Sequence, residues 1–334
     1  MLEQVLVKCH TMGMSRDNNE TDKTRKSAND QEGRLAGHFD ANLCSEESRA
    51  VSISLGQLVE GRLIDRPNRF LAVVSLAGKT IQAHVPDPGR LKELLFSGNK
   101  VMVRNINTLN NTGNLQGRHN QPKSQMPRRK TQYDLVLAAF NDIWVCIDTR
   151  YPNRLFEQAV KEKALRDFKE YTSIHREVAL NRLGEHLTQD DPEILARTLS
   201  KSAGNISSPE NMRKTPKSRF DFLLQGPKKR PLLVEVKSVT LCIGGIGLFP
   251  DAPTQRGARH VRELKQVSSS GLDAMIVFIA QREDIMEVSA HKETDPKFAD
   301  AIKEAANANV RILAYRCAVS PAHICLNPEP LPYR

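Results

Sequence analysis

The feature that most constrains the fold is a succession of short apolar segments between residue 54 and Asp148, separated by residues typical of turns. Breaks at Pro67-Asn68 and Ala77-Gly78 favour tight turns between strands. The pattern predicts strands at Leu58–Asp65, Phe70–Leu76, Lys79–His84, Lys100–Asn105, Tyr133–Phe140 and Ile143–Asp148, with a short helix at Arg90–Leu95. Five or six short strands with one small helix are typical of a closed barrel such as the OB-fold. We therefore expect a barrel over residues 54–150.

From Tyr151 onward, helical and strand-like patterns alternate. The first helix is predicted from the helical spacing of Leu155, Ala159, Val160, Ala164 and Phe168. The other predicted elements are strands at Ile174–Leu180, Arg219–Leu224, Leu232–Val239, Ala274–Ala280 and Arg311–Cys317 and helices at Thr254–Ser269 and Pro296–Asn307. Such alternation predicts an α/β domain with a mixed sheet over residues 151–330. Residues 184–217 interrupt the pattern and indicate an insertion, in which Asp191 and Pro192 are suited to begin one helix.

The remaining segment, residues 1–53, is polar and mostly lacks hydrophobic periodicity, so we expect a disordered extension. No secretory signal is expected in it, because no basic region precedes a long apolar run. In the whole chain no apolar run approaches the roughly 18 residues that span a bilayer, which excludes an integral membrane protein. The six cysteines show no C-x-x-C spacing, which argues against a disulfide framework or a zinc site and favours a cytoplasmic location.

The charge balance points to a polyanionic partner. The net charge is +10, and the first 50 residues contain seven basic and nine acidic side chains, so the basic excess belongs to the rest. A generally basic soluble protein would show the same balance. Within the barrel segment, residues 107–132 form a polar stretch with Arg118, Lys123, Arg128, Arg129 and Lys130. This basic loop is either a nucleic-acid contact or a solvated surface insertion.

Two predicted strands carry the residues that suggest chemistry. Asp221 lies on the first, and Glu235 and Lys237 point to one face of the second, because strand side chains alternate. Charges in a strand that is otherwise apolar require a partner or a metal. If the strands form a hairpin, two carboxylates and an ammonium lie together, a set suited to Mg²⁺ and to phosphodiester hydrolysis. A cross-strand salt bridge at a sheet edge would explain the same residues.

Further side chains could join this group. Glu157 on the first helix and Glu177 on the strand before the insertion could reach a metal, and each is equally explained as a surface carboxylate or a partner for a nearby arginine. Arg256 and His260 lie at helical spacing and could contact a scissile phosphate, although a surface role explains His260 as well. The glycine run before this helix, Gly244–Gly247, matches neither common nucleotide-binding pattern.

An ordered set of motifs resembles the sugar fermentation stimulation protein A (SfsA-like) family from Leu58 to Ser320. The matching stretches are GRLIDRPNRFLAVVSL, AHVPDPGRLKELLFSGNKV, RRKTQYDLVLA, YPNRLFEQAV, HREV, SRFDFLL, LLVEVKSVTL, LFPDAPTQRGARHVREL and ILAYRCAVS. The resemblance implies an N-terminal OB-fold followed by a mixed-sheet α/β domain of the PD-(D/E)xK nuclease type. It implies DNA binding without strong sequence preference, and metal-dependent nuclease activity has been suggested for some members.

Residue by residue, the resemblance places Asp221, Glu235 and Lys237 on the catalytic motif and Glu157 on the helical acid that precedes it. Asp221 and Glu235 would then hold Mg²⁺ or Mn²⁺. The chain departs from the family in its N-terminal extension, in insertions near 107–127 and 184–217, and at Gln255, where the family has a glutamate.

Two functions follow from these features. The first is a DNA-binding protein that is also a Mg²⁺- or Mn²⁺-dependent deoxyribonuclease, and the second is a non-catalytic DNA-binding regulator linked to sugar (maltose) metabolism. The side chains predicted to contact nucleic acid are Arg69, Arg90, Arg128, Arg129, Lys130, Arg256 and His260. No membrane partner is expected. The sequence leaves open single- or double-stranded DNA, a homodimer, and whether the chain cleaves at all.

Overall fold

The computed structural model describes residues 51–107, 131–186, 218–227, 229–269 and 272–334. In these ranges the strands are β1 Val51–Ser54, β2 Val59–Asn68, β3 Leu71–Leu76, β4 Lys79–His84, β5 Lys100–Asn105, β6 Tyr133–Phe140, β7 Ile143–Cys146, β8 Ser173–Ala179, β9 Arg219–Gly226, β10 Lys229–Val239, β11 Leu241–Ile243, β12 Ile246–Phe249, β13 Asp273–Ala280, β14 Glu287–Ala290, β15 Arg311–Val319 and β16 His323–Leu326. The α-helices of the same ranges are α1 Tyr151–Lys161, α2 Leu183–His186, α3 Gln255–Ser269 and α4 Pro296–Asn307. Single 3₁₀ turns occur at Arg166–Phe168 and Leu180–Arg182.

The first half of the chain forms the expected barrel. Its sheet has the order β4-β3-β2-β5-β6-β7, and β4 also pairs with β6, which closes five strands into a ring. Alternate side chains fill the interior, among them Val74, Val101 and Leu135, all fully buried. The OB-fold prediction is therefore confirmed. The predicted helix at Arg90–Leu95 is wrong, because Leu91 has a positive φ of 48° and the segment forms turns.

The second half forms a seven-stranded mixed sheet of order β1-β16-β15-β13-β10-β9-β8. β10, β13 and β15 run parallel, and the outer pairs are antiparallel. Helix α1 packs on one face through Leu155 and Phe156, in the same apolar cluster as Val234 of β10. Helices α3 and α4 pack on the other face, in a cluster that contains Leu233. Neighbouring residues of β10 thus face different helices, which confirms the mixed-sheet α/β prediction.

The structure differs from the sequence-based boundaries at several places. Val51–Ser54 form a strand that pairs with His323–Leu326 in the main sheet. The disordered extension predicted over residues 1–53 therefore wrongly includes the start of this strand. The glycine run that matched no nucleotide-binding pattern contains the hairpin turn between β11 and β12, where Gly244 and Gly245 adopt positive φ. The helix predicted within the 184–217 insertion lies outside the described residues. No helix in the described ranges is long and apolar enough to cross a bilayer.

A buried ion network joins the barrel to helix α1. The guanidinium of Arg104 on β5 donates to Tyr151 Oη at 2.6 Å and to Asp148 Oδ2 at 3.2 Å. Arg150 donates to Asp148 at 2.5 and 2.7 Å and to Asp134 at 2.7 Å. We call these four charged residues, Arg104, Asp134, Asp148 and Arg150, the junction cluster. Because Tyr151 is the first residue of α1, the network fixes where this helix starts against the sheet.

Candidate active site

Asp221 lies where strands β9 and β10 stop pairing. The last aligned pair in their antiparallel ladder is Phe222 with Val234. Beyond it, Oδ2 of Asp221 accepts the backbone N–H of Val236 at 2.8 Å, in place of a carbonyl of the neighbouring strand. Oδ1 accepts a hydrogen bond from the side-chain amide of Asn153 on α1 at 2.7 Å. The carboxylate is therefore held by a strand on one side and a helix on the other.

Glu235 is almost fully enclosed, with 4% of its surface exposed. It lies on the face of β10 that packs against α3, two residues after Leu233. Its Oε1 accepts hydrogen bonds from Lys237 Nζ at 2.5 Å and from His260 Nδ1 at 2.7 Å. Within the described residues, its buried Oε2 has no hydrogen-bond partner. One carboxylate oxygen thus has two donors and the other has none.

The two carboxylates differ in their electrostatics. Burial, and then the negative charge of Glu235, raise the pKa of Asp221 to about 6. Burial also acts to raise the pKa of Glu235, but the ammonium of Lys237 and the hydrogen bond from His260 outweigh it and lower that pKa. Glu235 is thereby stabilised as an anion. Asp221 is the carboxylate that would gain most from an added positive charge.

The donor set fits a hard divalent cation. Among the described residues, no group of three or more His, Cys, Asp or Glu side chains forms a metal-binding cluster. Two carboxylates are nevertheless enough for Mg²⁺, which keeps several of its waters. The partnerless Oε2 of Glu235 is costly to bury, and a bound cation would satisfy it. Asp221 and Glu235 are the residues suited to hold it.

The structure brings Asp221, Glu235 and Lys237 together but pairs Glu157 elsewhere. The carboxylate of Glu157 accepts from Lys161 Nζ at 2.7 Å and lies 3.2 Å from Arg176 Nη1. The residue of α1 that contacts the site is Asn153, one turn before Glu157. Glu177, on β8, is exposed and has a positive φ of 53°.

The sequence offered His260 either as a contact to the scissile phosphate or as a surface residue, but the structure buries it. Only 2% of its surface is exposed, and its ring lies 5.5 Å from the ring of Phe220. In this position it contacts Glu235 and offers no surface to a phosphate. Asn153 was not singled out as a site residue, although it lies four residues before Glu157 on the same helix face.

Two of the predicted nucleic-acid residues belong to one surface patch on the barrel. Arg69 and Arg90 are both exposed, and the guanidinium of Arg66 donates to the backbone carbonyls of both. Arg256 is exposed on the first turn of α3. Arg128, Arg129 and Lys130 lie outside the described residues. We call Arg66, Arg69 and Arg90 the arginine patch.

Comparison with known proteins gives consistent matches for both halves of the chain. The model of the SfsA N-terminal OB domain matches residues 64–147, and that of the sugar fermentation stimulation protein RE domain matches residues 192–323. The sugar fermentation stimulation protein homolog of Moorella thermoacetica is 39% identical over 269 residues, which cover 80% of this chain and 94% of that protein. The homolog of Acetivibrio thermocellus is 37% identical over 265 residues, covering 79% and 91%.

A solved structure supports the fold. It is that of Pyrococcus furiosus SfsA in complex with Ca²⁺, which matches with a TM-score of 0.63 and 24% identity. The match covers 84% of this chain and 98% of that chain. The similarity therefore includes both the barrel and the α/β domain.

Proposed function

This chain belongs to the sugar fermentation stimulation protein (SfsA) family, and from that premise we propose that it binds DNA with weak sequence preference and hydrolyses phosphodiester bonds with Mg²⁺ or Mn²⁺. The observation that carries the proposal is the arrangement of Glu235. Its Oε1 is held by Lys237 and His260, its Oε2 is buried without a hydrogen-bond partner among the described residues, and its charge acts on Asp221. Among the described residues, Glu93 Oε1 and Glu263 Oε2 are also buried without a partner, and Glu235 differs from them because its charge acts on Asp221 and it is paired with Lys237 and His260.

In this proposal Asp221 and Glu235 hold the cation. When bound, a divalent ion activates water and neutralises the charge that develops on the leaving oxygen. The chain's own residues prepare the site. Asn153 and the Val236 amide hold the Asp221 carboxylate in place, and burial of Glu235 limits the access of bulk water.

Lys237 provides the positive charge of the site itself. Its side chain is 13% exposed, so the ammonium lies at the boundary between Glu235 and the surface. An ammonium at that place can stabilise the negative charge of a phosphate transition state or orient an attacking water. This is the role that we propose for Lys237.

The arginine patch supports DNA binding. Phe70, which follows Arg69 in the chain, is 54% exposed, so its ring is accessible for stacking on a base. Aromatic residues form only 5% of the chain, so basic side chains provide most of the contacts. Such binding depends strongly on salt and weakly on sequence.

Four described cysteines, Cys146, Cys242, Cys317 and Cys325, are free thiols, which supports a cytoplasmic location.

The test is cleavage of labelled single- and double-stranded DNA in Mn²⁺, Mg²⁺ or EDTA. The wild type would be compared with Asp221→Asn and Glu235→Gln, and binding to the same DNA would be measured in parallel. We expect metal-dependent cleavage that both variants lose while they keep binding. Binding without cleavage by the wild type would refute the nuclease proposal and leave the non-catalytic regulator. Absence of binding would refute the DNA proposal.

A further inference from the structure

His260 contacts Glu235 from a different element of the fold. Its Nδ1 lies 2.7 Å from Glu235 Oε1, and an ionised carboxylate can only accept, so Nδ1 carries the hydrogen and donates it. The ring is almost fully buried and packs beside Phe220 of β9. A planar ring held in this way has little rotational freedom, and its N–H points in one direction only.

The other donor to the same oxygen cannot fix its direction. Lys237 lies two residues from Glu235 on the same strand, and its long side chain has many rotamers. An ammonium on that chain can follow the carboxylate wherever it turns. The ring of His260, set by the packing of α3 on the sheet, cannot.

We propose that His260 is a positioning residue: it holds Oε1 of Glu235 so that the partnerless Oε2 is presented to a divalent cation. This inference rests on the proposed function, since it assumes that Glu235 binds a metal. Groups that orient a metal-binding side chain without touching the metal typically contribute 10–100-fold to affinity. We expect a loss of about that size when the N–H of His260 is removed.

The experiment measures Ca²⁺ binding by isothermal titration calorimetry on the full chain, which requires no catalytic turnover. His260→Leu keeps an apolar side chain beside Phe220 but removes the donor. His260→Asn places an amide nitrogen close to the position of Nδ1 and can donate the same hydrogen bond. Glu263→Gln is the matched control, because Glu263 is buried on the same helix but accepts from Ser218 Oγ rather than contacting Glu235.

We expect Ca²⁺ affinity to fall at least 10-fold in His260→Leu and to stay within about 3-fold of wild type in His260→Asn and Glu263→Gln. Thermal unfolding of each variant separates this effect from a loss of fold. If His260→Leu does not fold, His260→Gln takes its place, because its longer chain moves the amide away from the Nδ1 position.

The outcomes separate the two proposals. Wild-type affinity in a folded variant that lacks the donor would overturn the positioning role and leave the proposed metal site intact. An equal loss in His260→Asn would also overturn it, because the restored N–H would then have no effect. No Ca²⁺ binding by the wild type, together with no Mn²⁺ binding, would overturn the metal site and this inference with it.

Discussion

The junction cluster and the candidate active site both bury carboxylates, but in the active site one carboxylate oxygen has no hydrogen-bond partner among the described residues. In the junction cluster, Asp134 and Asp148 are nearly inaccessible, and two arginines neutralise them. At the active site, Asp221 has neutral amide donors, and one oxygen of Glu235 has no partner in the described residues. The first arrangement satisfies its charges without a ligand. The second pairs Glu235 with Lys237 but gives Asp221 neutral amide donors, so an added cation would contribute most at Asp221.

This difference separates a structural ion network from a functional site in the same chain. Breaking a satisfied buried network costs stability, because a charge is left without its partner. At the active site the two carboxylates differ, because folding disfavours the charge of Asp221 but stabilises that of Glu235, so only a substitution at Asp221 removes an unfavourable charge. Neutralising Asp221 should therefore cost much less stability than removing a carboxylate of the junction cluster.

The largest effect is expected at Lys237, where Lys237→Met removes the ammonium beside Glu235. Cleavage of labelled DNA in Mn²⁺ should slow on the order of 10²–10³-fold, because the charge that stabilises the transition state is lost. Gel-shift titration should show that DNA binding is nearly unchanged. Lys265→Met is the control, since Lys265 pairs with Glu304 on the surface between α3 and α4. Full cleavage by Lys237→Met would mean that the comparison assigns function to the wrong cluster.

The second prediction concerns the junction cluster. Asp148→Ala leaves Arg104, which is 3% exposed, without its nearest carboxylate, and the free energy of unfolding should fall by about 3–5 kcal/mol. Urea denaturation at neutral pH measures the change. The control is Glu304→Ala, which breaks the exposed ion pair between Lys265 and Glu304 and should leave the urea midpoint of unfolding unchanged. If Asp148→Ala loses no more stability than Glu304→Ala, the buried junction cluster contributes no more to folding than an exposed ion pair.

The third prediction compares exposed arginines with the buried arginine of the junction cluster. The double substitution Arg69→Ala/Arg90→Ala should weaken DNA binding about tenfold and lower the slope of log affinity against log salt by about 1–2. Unlike Arg104, these side chains are exposed, so stability should not change. Fluorescence anisotropy at several salt concentrations measures the DNA affinity and its dependence on salt, with Lys303→Ala on α4 as the control. If the slope of log affinity against log salt does not change, the arginine patch does not contact DNA.

The smallest effect is predicted for the stability of Asp221→Asn. Burial and the charge of Glu235 disfavour the ionised form of Asp221 in the folded state, whereas the NH₂ group of asparagine would face one of the two N–H donors to this carboxylate. Because these effects oppose each other, the unfolding free energy at pH 7 should change by no more than about 1 kcal/mol. Urea denaturation without added metal gives the value. A loss of several kcal/mol, as predicted for Asp148→Ala, would make Asp221 a structural residue.

The strands and the grouping of Asp221 with Glu235 and Lys237 could be predicted, because strand alternation and the hairpin between β9 and β10 are local properties of the chain. The partners of the two carboxylates could not. Asn153 is 68 residues from Asp221, and His260 is 25 residues from Glu235. These contacts depend on how α1 and α3 pack on opposite faces of the sheet, which residue spacing does not encode.

Dependence on distant contacts also explains why strand β1, at one edge of the main sheet, was not predicted. Val51–Ser54 is a short alternating segment after a polar extension, and its partner β16 lies at the other end of the chain. Four residues carry too little periodicity to predict a strand by themselves. Their pairing is visible only once the fold brings the two ends together.

The central claim is that the free oxygen of Glu235 and the carboxylate of Asp221 hold a divalent cation. The most direct measurement is the anomalous difference map of crystals grown with Mn²⁺. We expect one strong peak about 2.1 Å from Glu235 Oε2 and also within bonding distance of the Asp221 carboxylate, while Lys237 and His260 still donate to Oε1. A map without a peak there, or with Mn²⁺ only at other sites, would contradict it.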